Sequence, residues 1–293
     1  MTSEDVQRVR VGAVELAATT TGDPADPPVL LVAGLGAQLI SWDDGFCRAL
    51  ADRGLYVVRF DNRDAGLSTH LGESPAEPAY ALSDLAGDAA GLVDELGLGS
   101  VHVVGASMGG MIAQLVAIEH PDRVRSLTSI MSTTGDPTVG EASQAAIAAL
   151  TAPPALTREA VLDGAVVANR IMGSPDHPMA ADEVRARAGR AFDRAYDPVG
   201  FGRQLQACLT TPDRTEALCR LDLPTLVIHG AADTLIGVSG GRATAAAVPG
   251  AELLVLDGVG HEVPEGVWPL VVDRIAALVA RAEERSTVGR ASG

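Results

Sequence analysis

Six short stretches dominated by Val, Leu and Ile set the terms for this chain: PVLLVAG at 28–34, LYVVRFD at 55–61, VHVVG at 101–105, RSLTSIMS at 125–132, PTLVIHG at 224–230 and AELLVLDG at 251–258. A strand with one wet face alternates polar and apolar residues. Runs that are mainly apolar throughout need cover on both faces, which is the situation of strands in a parallel sheet. Helical patterns near 42–52, 82–96 and 108–120 lie between the runs and one near 266–284 follows the last, and residues 6–11 and 13–19 read as an N-terminal hairpin. This succession predicts an α/β fold with a mostly parallel central sheet flanked by helices. At 293 residues the chain is long for one domain but within reach of such a fold.

The rhythm breaks once. Between Ser132 and Pro224 no stretch reads as a strand, while TVGEASQAAIAAL, TREAVLDGAVVANRIMG, AADEVRARAGRAFDRAY and GFGRQLQACL each read as helix. A structureless loop of that length is implausible in a compact domain. The expectation is therefore a core domain from 1–135 and 219–293 with a helical cap at 136–218. Phe192, Tyr196 and Phe201 are the cap's large aromatics; Met172 and Met179 are read as helix packing, and Arg203 and Gln204 as a solvated face. The tail ERSTVGRASG is expected to fray.

Charge narrows the partners. The formal net charge is −16, and such an acidic surface repels nucleic acid and anionic membranes, so neither is expected. Cys47, Cys208 and Cys219 are odd in number and fit no metal-ligand spacing, which reads as free thiols in a reducing compartment. The segment MTSEDVQRVRV has no secretory apolar region, and no run approaches a membrane span of about 20 residues, so a cytoplasmic location is expected. The glycines of GASMGG lack the lysine of a phosphate-binding loop and the spacing of a dinucleotide fold. Neither a metal nor an organic cofactor is expected.

The most informative stretch is VHVVGASMGGMIAQ, residues 101–114. Gly105, Ser107 and Gly109 form G-x-S-x-G directly after a strand and before a helix, the context in which a sharp turn lifts a serine hydroxyl clear of the sheet. Larger side chains at Gly105 and Gly109 would clash in that turn. A serine needs a base, and the base needs an orienting group. His261 follows a strand in the loop GVGHEVPEG and is the expected base. His70, His102, His120, His177 and His229 have plainer readings in loops, strands or at a helix end. Asp233, after the strand PTLVIHG, is the expected orienting acid, with Asp136 as rival and Asp257 assigned to a turn. Acyl transfer also needs oxyanion donors. The backbone N–H of Met108 is one. The N–H of Leu35 is expected as the second, because Gly34 and Gly36 let that loop approach closely.

At this point the sequence resembles the α/β-hydrolase superfamily from PVLLVAGLG to GVGHEVPEG, and the order Ser107, Asp233, His261 is that of its triads. The resemblance implies the α/β-hydrolase fold, with the helical insertion closing over the site. PVLLVAGLGAQLISW resembles the family's oxyanion stretch, but Ala33-Gly34 stands where the family often has His-Gly. RFDNRDAGLST resembles a loop in which Asp61, Arg63 and Asp64 are structural. GDPADPPVLLVAGLG, FDNRDAGLST and GASMGGMIAQ look most like bacterial esterases related to aclacinomycin methylesterase, which act on polyketide methyl esters. Epoxide hydrolases and haloalkane dehalogenases carry Asp where this chain has Ser107. The expected function is hydrolysis of a small-molecule carboxylic ester through an acyl-enzyme. Perhydrolase, thioester, lactone or carbon–carbon hydrolysis on the same site is the alternative, and a non-catalytic ligand-binding protein the alternative of another class.

Overall fold

The computed structural model describes residues 6–72 and 80–291. In chain order the elements are β1 (Gln7–Val11), β2 (Val14–Thr21), β3 (Pro28–Val32), α1 (Asp44–Ala51), β4 (Tyr56–Phe60), α2 (Leu82–Glu95), β5 (Val101–Ala106), α3 (Met108–Glu119) and β6 (Val124–Ile130). Then come α4 (Gln144–Leu150), α5 (Arg158–Met172), α6 (Ala181–Arg194), α7 (Pro198–Thr210), α8 (Thr215–Leu218), β7 (Thr225–Gly230), α9 (Val238–Ala247), β8 (Glu252–Leu256) and α10 (Trp268–Ala291).

Among the described residues eight strands form one sheet in the order β1-β2-β4-β3-β5-β6-β7-β8. The hairpin β1–β2 and the pair β2–β4 are antiparallel, and every pair from β4 to β8 is parallel. The apolar runs are explained by the two layers that cover the sheet. Along β3, Val29 and Leu31 pack with Phe46 and Leu50 of α1 and Val271 and Ile275 of α10. Leu30 and Val32 face the opposite way, onto Leu85 and Leu92 of α2 and Ile112 of α3. Each such side chain, fully withdrawn from water, contributes about 1.5–3 kcal/mol.

α4 to α8 occupy the stretch between β6 and β7, and side chains start three of them. Ser143 accepts from Ala146 N–H, Thr157 from Ala160 N–H, and Asp197 from Gly200 N–H with Pro198 in the first helical turn. Arg203 and Gln204 do not form a solvated face. They are 3% and 0% exposed, because α7 turns that side toward the loop after β4. α9 has no clear signal in sequence, since VSGGRATAAA carries two glycines and little apolar periodicity. The expected frayed tail is instead helical through Ala291. There Ser286 and Thr287 hydroxyls donate back to the carbonyls of Ala282 and Glu283, and Arg285 pairs with Asp222. Residues 292 and 293 lie outside the described residues. No helix among the described residues is long and apolar enough to cross a membrane.

The sheet order places the site. From β3 the chain steps to β4 on one side, then crosses to β5 on the other, so the loops leaving β3 and β5 diverge at their carboxyl ends. A crevice opens at such a reversal. Val32 of β3 pairs with Gly105 of β5 at its rim.

Candidate active site

Ser107 follows β5 with φ 58° and ψ −124°, a conformation that costs a side-chain-bearing residue about 1–3 kcal/mol. The surroundings impose it. Ser107 N–H donates to Ile130 O at 2.9 Å, and Ser107 O accepts from Gly110 N–H at 2.8 Å. The flanking glycines are sterically required: a Cβ on Gly105 would stand 2.0 Å from Gly109 O, and one on Gly109 2.1 Å from Val32 O. The serine is thereby presented at the N-terminus of α3, whose dipole favours negative charge.

His261 arrives on the loop after β8, with Nε2 2.9 Å from Ser107 Oγ and Nδ1 2.7 Å from Asp233 Oδ2. A carboxylate can only accept, so the Nδ1 proton points to Asp233 and Nε2 is left to accept from the serine. Asp233, after β7, is 7% exposed. Its Oδ1 accepts the N–H groups of Leu235 and Ile236, both at 2.9 Å. Burial opposes its charge, but the nearby His229 ring, the hydrogen bond and charge of His261 and the Ile236 N–H outweigh it and hold the carboxyl well below the usual range. The rival Asp136 is engaged locally, accepting from the N–H and hydroxyl of Thr138. Asp257 is exposed in a turn.

Two supports were not visible in the sequence. His229, wholly buried behind Asp233, donates from Nε2 to Ile236 O at 2.7 Å and lies 3.5 Å from Asp233 Oδ2. Among the described residues its Nδ1 has no partner. The second is the C-terminus of α5, where Met172 O accepts His261 N–H at 2.7 Å and Ile171 O accepts the Thr234 hydroxyl at 2.8 Å. Carbonyls left over at a helix end thus tie the loops of both His261 and Asp233.

The loop after β3 forms the facing wall. A side-chain carbon on Gly34 would lie 3.3 Å from Ser107 Cβ, so this backbone runs directly against the serine. Among the described residues no protein acceptor takes the N–H of Leu35 or of Met108. Both residues line one cavity with Ser107 and His261, of about 860 Å³. Its other walls are mostly apolar: Met111 of α3, Ile147 and Leu150 of α4, and Leu205 of α7. Its aromatic side is built largely by the core and not by the inserted helices. Trp42 stacks on Phe46 at 5.7 Å, and Phe46 meets the edge of Trp268 at 5.9 Å. Of the aromatics on the insertion, Phe201 lines the cavity, while Phe192 and Tyr196 pack on each other at 5.0 Å. Met172 lines it as well.

Other reactive groups are accounted for. Burial pushes the Cys208 thiol, on the cavity wall, up to about 12, so it stays protonated near neutral pH. Cys47, Cys208 and Cys219 are all free thiols. Ligand atoms of Asp64, His70 and Asp197 come within 4.8 Å of one another. Both Asp64 oxygens there already accept the Arg203 fork at 2.8 Å, so a cation would have to displace a guanidinium.

Comparison with known proteins bears on the fold and the family. The profile described as alpha/beta hydrolase fold matches residues 27–265. Rhodomycin D methylesterase DnrP of Streptomyces peucetius is 31% identical over 277 residues, which span 87% of this chain and 92% of that enzyme. The putative carbamate hydrolase RutD of Caulobacter sp. (strain K31) is 29% identical over 250 residues, 82% of this chain and 86% of the relative. In fold the chain is similar to the enol-lactonase from Burkholderia xenovorans LB400, with TM-score 0.72 at 24% identity, covering 95% of this chain and 100% of that one.

Proposed function

The chain belongs to the α/β-hydrolase family, and from that premise we propose that it cleaves a carboxylic ester with Ser107 as nucleophile, His261 as base and Asp233 as orienting acid. It is a carboxylic ester hydrolase. The observation that carries the assignment of roles is the continuous hydrogen-bonded chain Ser107–His261–Asp233 opening on a cavity beside two unclaimed backbone N–H groups.

Ser107 Oγ attacks the ester carbonyl carbon as its proton passes to His261 Nε2. Asp233 stabilises the imidazolium that forms, and the N–H groups of Leu35 and Met108 take the oxyanion. Collapse of the tetrahedral intermediate breaks the bond to the alcohol, which leaves with the proton from His261. Water then repeats the sequence on the acyl-enzyme and frees the acid. The finer reading is a methyl ester of a bulky, mainly apolar acid. A methylesterase is the relative at 31% identity, and a cavity of about 860 Å³ far exceeds what a methoxy group fills, so its volume serves the acyl side. Residues 136–218 act as the cap of this site, a reading supported by the α4, α5 and α7 side chains on the cavity wall.

The test is turnover of p-nitrophenyl esters of increasing acyl length, and of methyl esters of bulky acids, by wild type and Ser107→Ala. The variant is expected to lose about 10⁴-fold or more of kcat. A Ser107→Ala protein that keeps its rate would overturn the assignment.

A further inference from the structure

The loop that supplies Leu35 has no polar side chain of its own from Ala33 to Ala37 (AGLGA), so whatever fixes its backbone must come from elsewhere. Ala37 N–H donates to Gly34 O at 3.1 Å, closing a four-residue turn. Gly36, the third residue of that turn, has φ +64°, while Leu35 has an ordinary negative φ. That pairing is the type II arrangement, which differs from type I by rotation of the central peptide, here Leu35–Gly36. That peptide carries Leu35 O and Gly36 N–H and follows directly on the Gly34–Leu35 peptide, whose N–H is the proposed oxyanion donor, so a restraint on Gly36 N–H restrains the turn that presents it.

Gln204 provides such a restraint from α7. Its Oε1 accepts Gly36 N–H at 2.8 Å, and its Nε2 donates to Arg63 O at 2.8 Å. The carboxamide orientation is forced, because a peptide N–H only donates and a carbonyl only accepts. The side chain is wholly buried. The Phe201 ring, one turn earlier on α7, lies against Gly36, where a Cβ would meet it at 2.6 Å. α7 is itself fixed, since the Arg203 guanidinium forks onto Asp64 at 2.8 Å. At the start of the loop Asn62 donates to Ala33 O at 3.1 Å, and just after the turn Gln38 donates to Ala191 O of α6 and to Ala195 O just beyond it, both at 2.8 Å.

We propose that Gln204 is a positioning residue for the oxyanion loop: from the inserted helix α7 it anchors the Gly36 N–H and so fixes the turn whose first peptide, Gly34–Leu35, carries the Leu35 N–H toward the reacting carbonyl. This rests on the hydrolase reading above. The inserted helices then complete the oxyanion site as well as enclosing the substrate. A donor displaced by a fraction of an ångström loses much of its value in the transition state and little in ground-state binding.

The test compares wild type with Gln204→Met, which keeps length and loses both bonds, and Gln204→Glu, which keeps the acceptor for Gly36. Three readouts are taken: kcat and KM on one ester, Ki of an alkyl trifluoromethyl ketone whose serine adduct carries an oxyanion, and amide exchange at Gly36. Gln204→Met is expected to lower kcat about 10- to 100-fold, leave KM within about twofold, raise the ketone Ki in parallel and speed Gly36 exchange. Gln204→Glu, which keeps an acceptor for Gly36 but turns its second carboxyl oxygen on Arg63 O, is expected to show slower Gly36 exchange than Gln204→Met. An unchanged ketone Ki or unchanged Gly36 exchange in Gln204→Met overturns the proposal. A wild type that forms no adduct overturns the hydrolase reading instead, and a folded wild type that forms one lets the variants decide on Gln204 alone.

Discussion

Ser107 holds its strained conformation only because its neighbours leave no other. The two elbow glycines bring β5, α3 and β3 into backbone contact, with under 2.2 Å available to a Cβ on either. Gly105→Ala is therefore expected to cost more than about 3 kcal/mol in urea unfolding, or to yield no soluble protein, whereas relief by a small backbone shift would show as a loss below about 1 kcal/mol. At this scale the sequence was legible where a residue type has one evident use. Ser107, Asp233 and His261 each close an apolar run, and the structure brings their side chains into hydrogen-bond contact. It was illegible where a side chain's destination depends on tertiary packing. Nothing in GFGRQLQACL distinguishes a glutamine facing water from one facing Gly36, and nothing in PTLVIHG tells a core histidine from one seated behind Asp233.

The helices differ in how they meet the sheet. α10 closes one layer and also reaches the elbow strand: His102 of β5, 1% exposed, sets Nδ1 2.8 Å from Ser126 Oγ and Nε2 3.1 Å from Glu283 Oε1. Burial, opposed by the Glu283 carboxylate and reinforced by the Arg125 charge, holds His102 well below the ordinary histidine value. The folded protein thus keeps His102 neutral at pH values where the unfolded chain, with a pKa of about 6.5, takes up a proton. The unfolded state binds more protons there, so stability falls as pH drops below that value. The urea midpoint is expected to decline from pH 7 to pH 5. His102→Gln, which keeps a donor and an acceptor, should flatten the decline, and an equal slope in both proteins would assign it elsewhere. Strands were read from sequence to within a residue or two, and the inner ones such as β3 and β7 most plainly, because burial on both faces leaves a continuous signal. α9 was not, since its contact with β7 and β8 rests on small residues that carry little periodicity.

As a whole the molecule carries a net charge of −16. A field of that sign slows the approach of anionic esters and leaves neutral ones alone, and salt screens it over a Debye length of about 10 Å at 0.1 M. Raising ionic strength should increase kcat/KM for a carboxylate-bearing ester and leave its neutral analogue unchanged; equal responses would show that local groups dominate. The fold class was readable from the alternation of runs and helices, and the insertion from the single break in it. How the insertion meets the core was not, because those contacts join residues far apart in the sequence, as from His261 to Met172 and from Gly36 to Gln204. They bear on any attempt to re-engineer this enzyme by exchanging its insertion for a foreign one. A graft that matched the cavity wall but omitted the α5 terminus or the α7 glutamine would arrive with the right shape and a disordered reaction centre. Recombination is better confined to the cavity-facing side chains of α4 and α7, with both anchor points left in place.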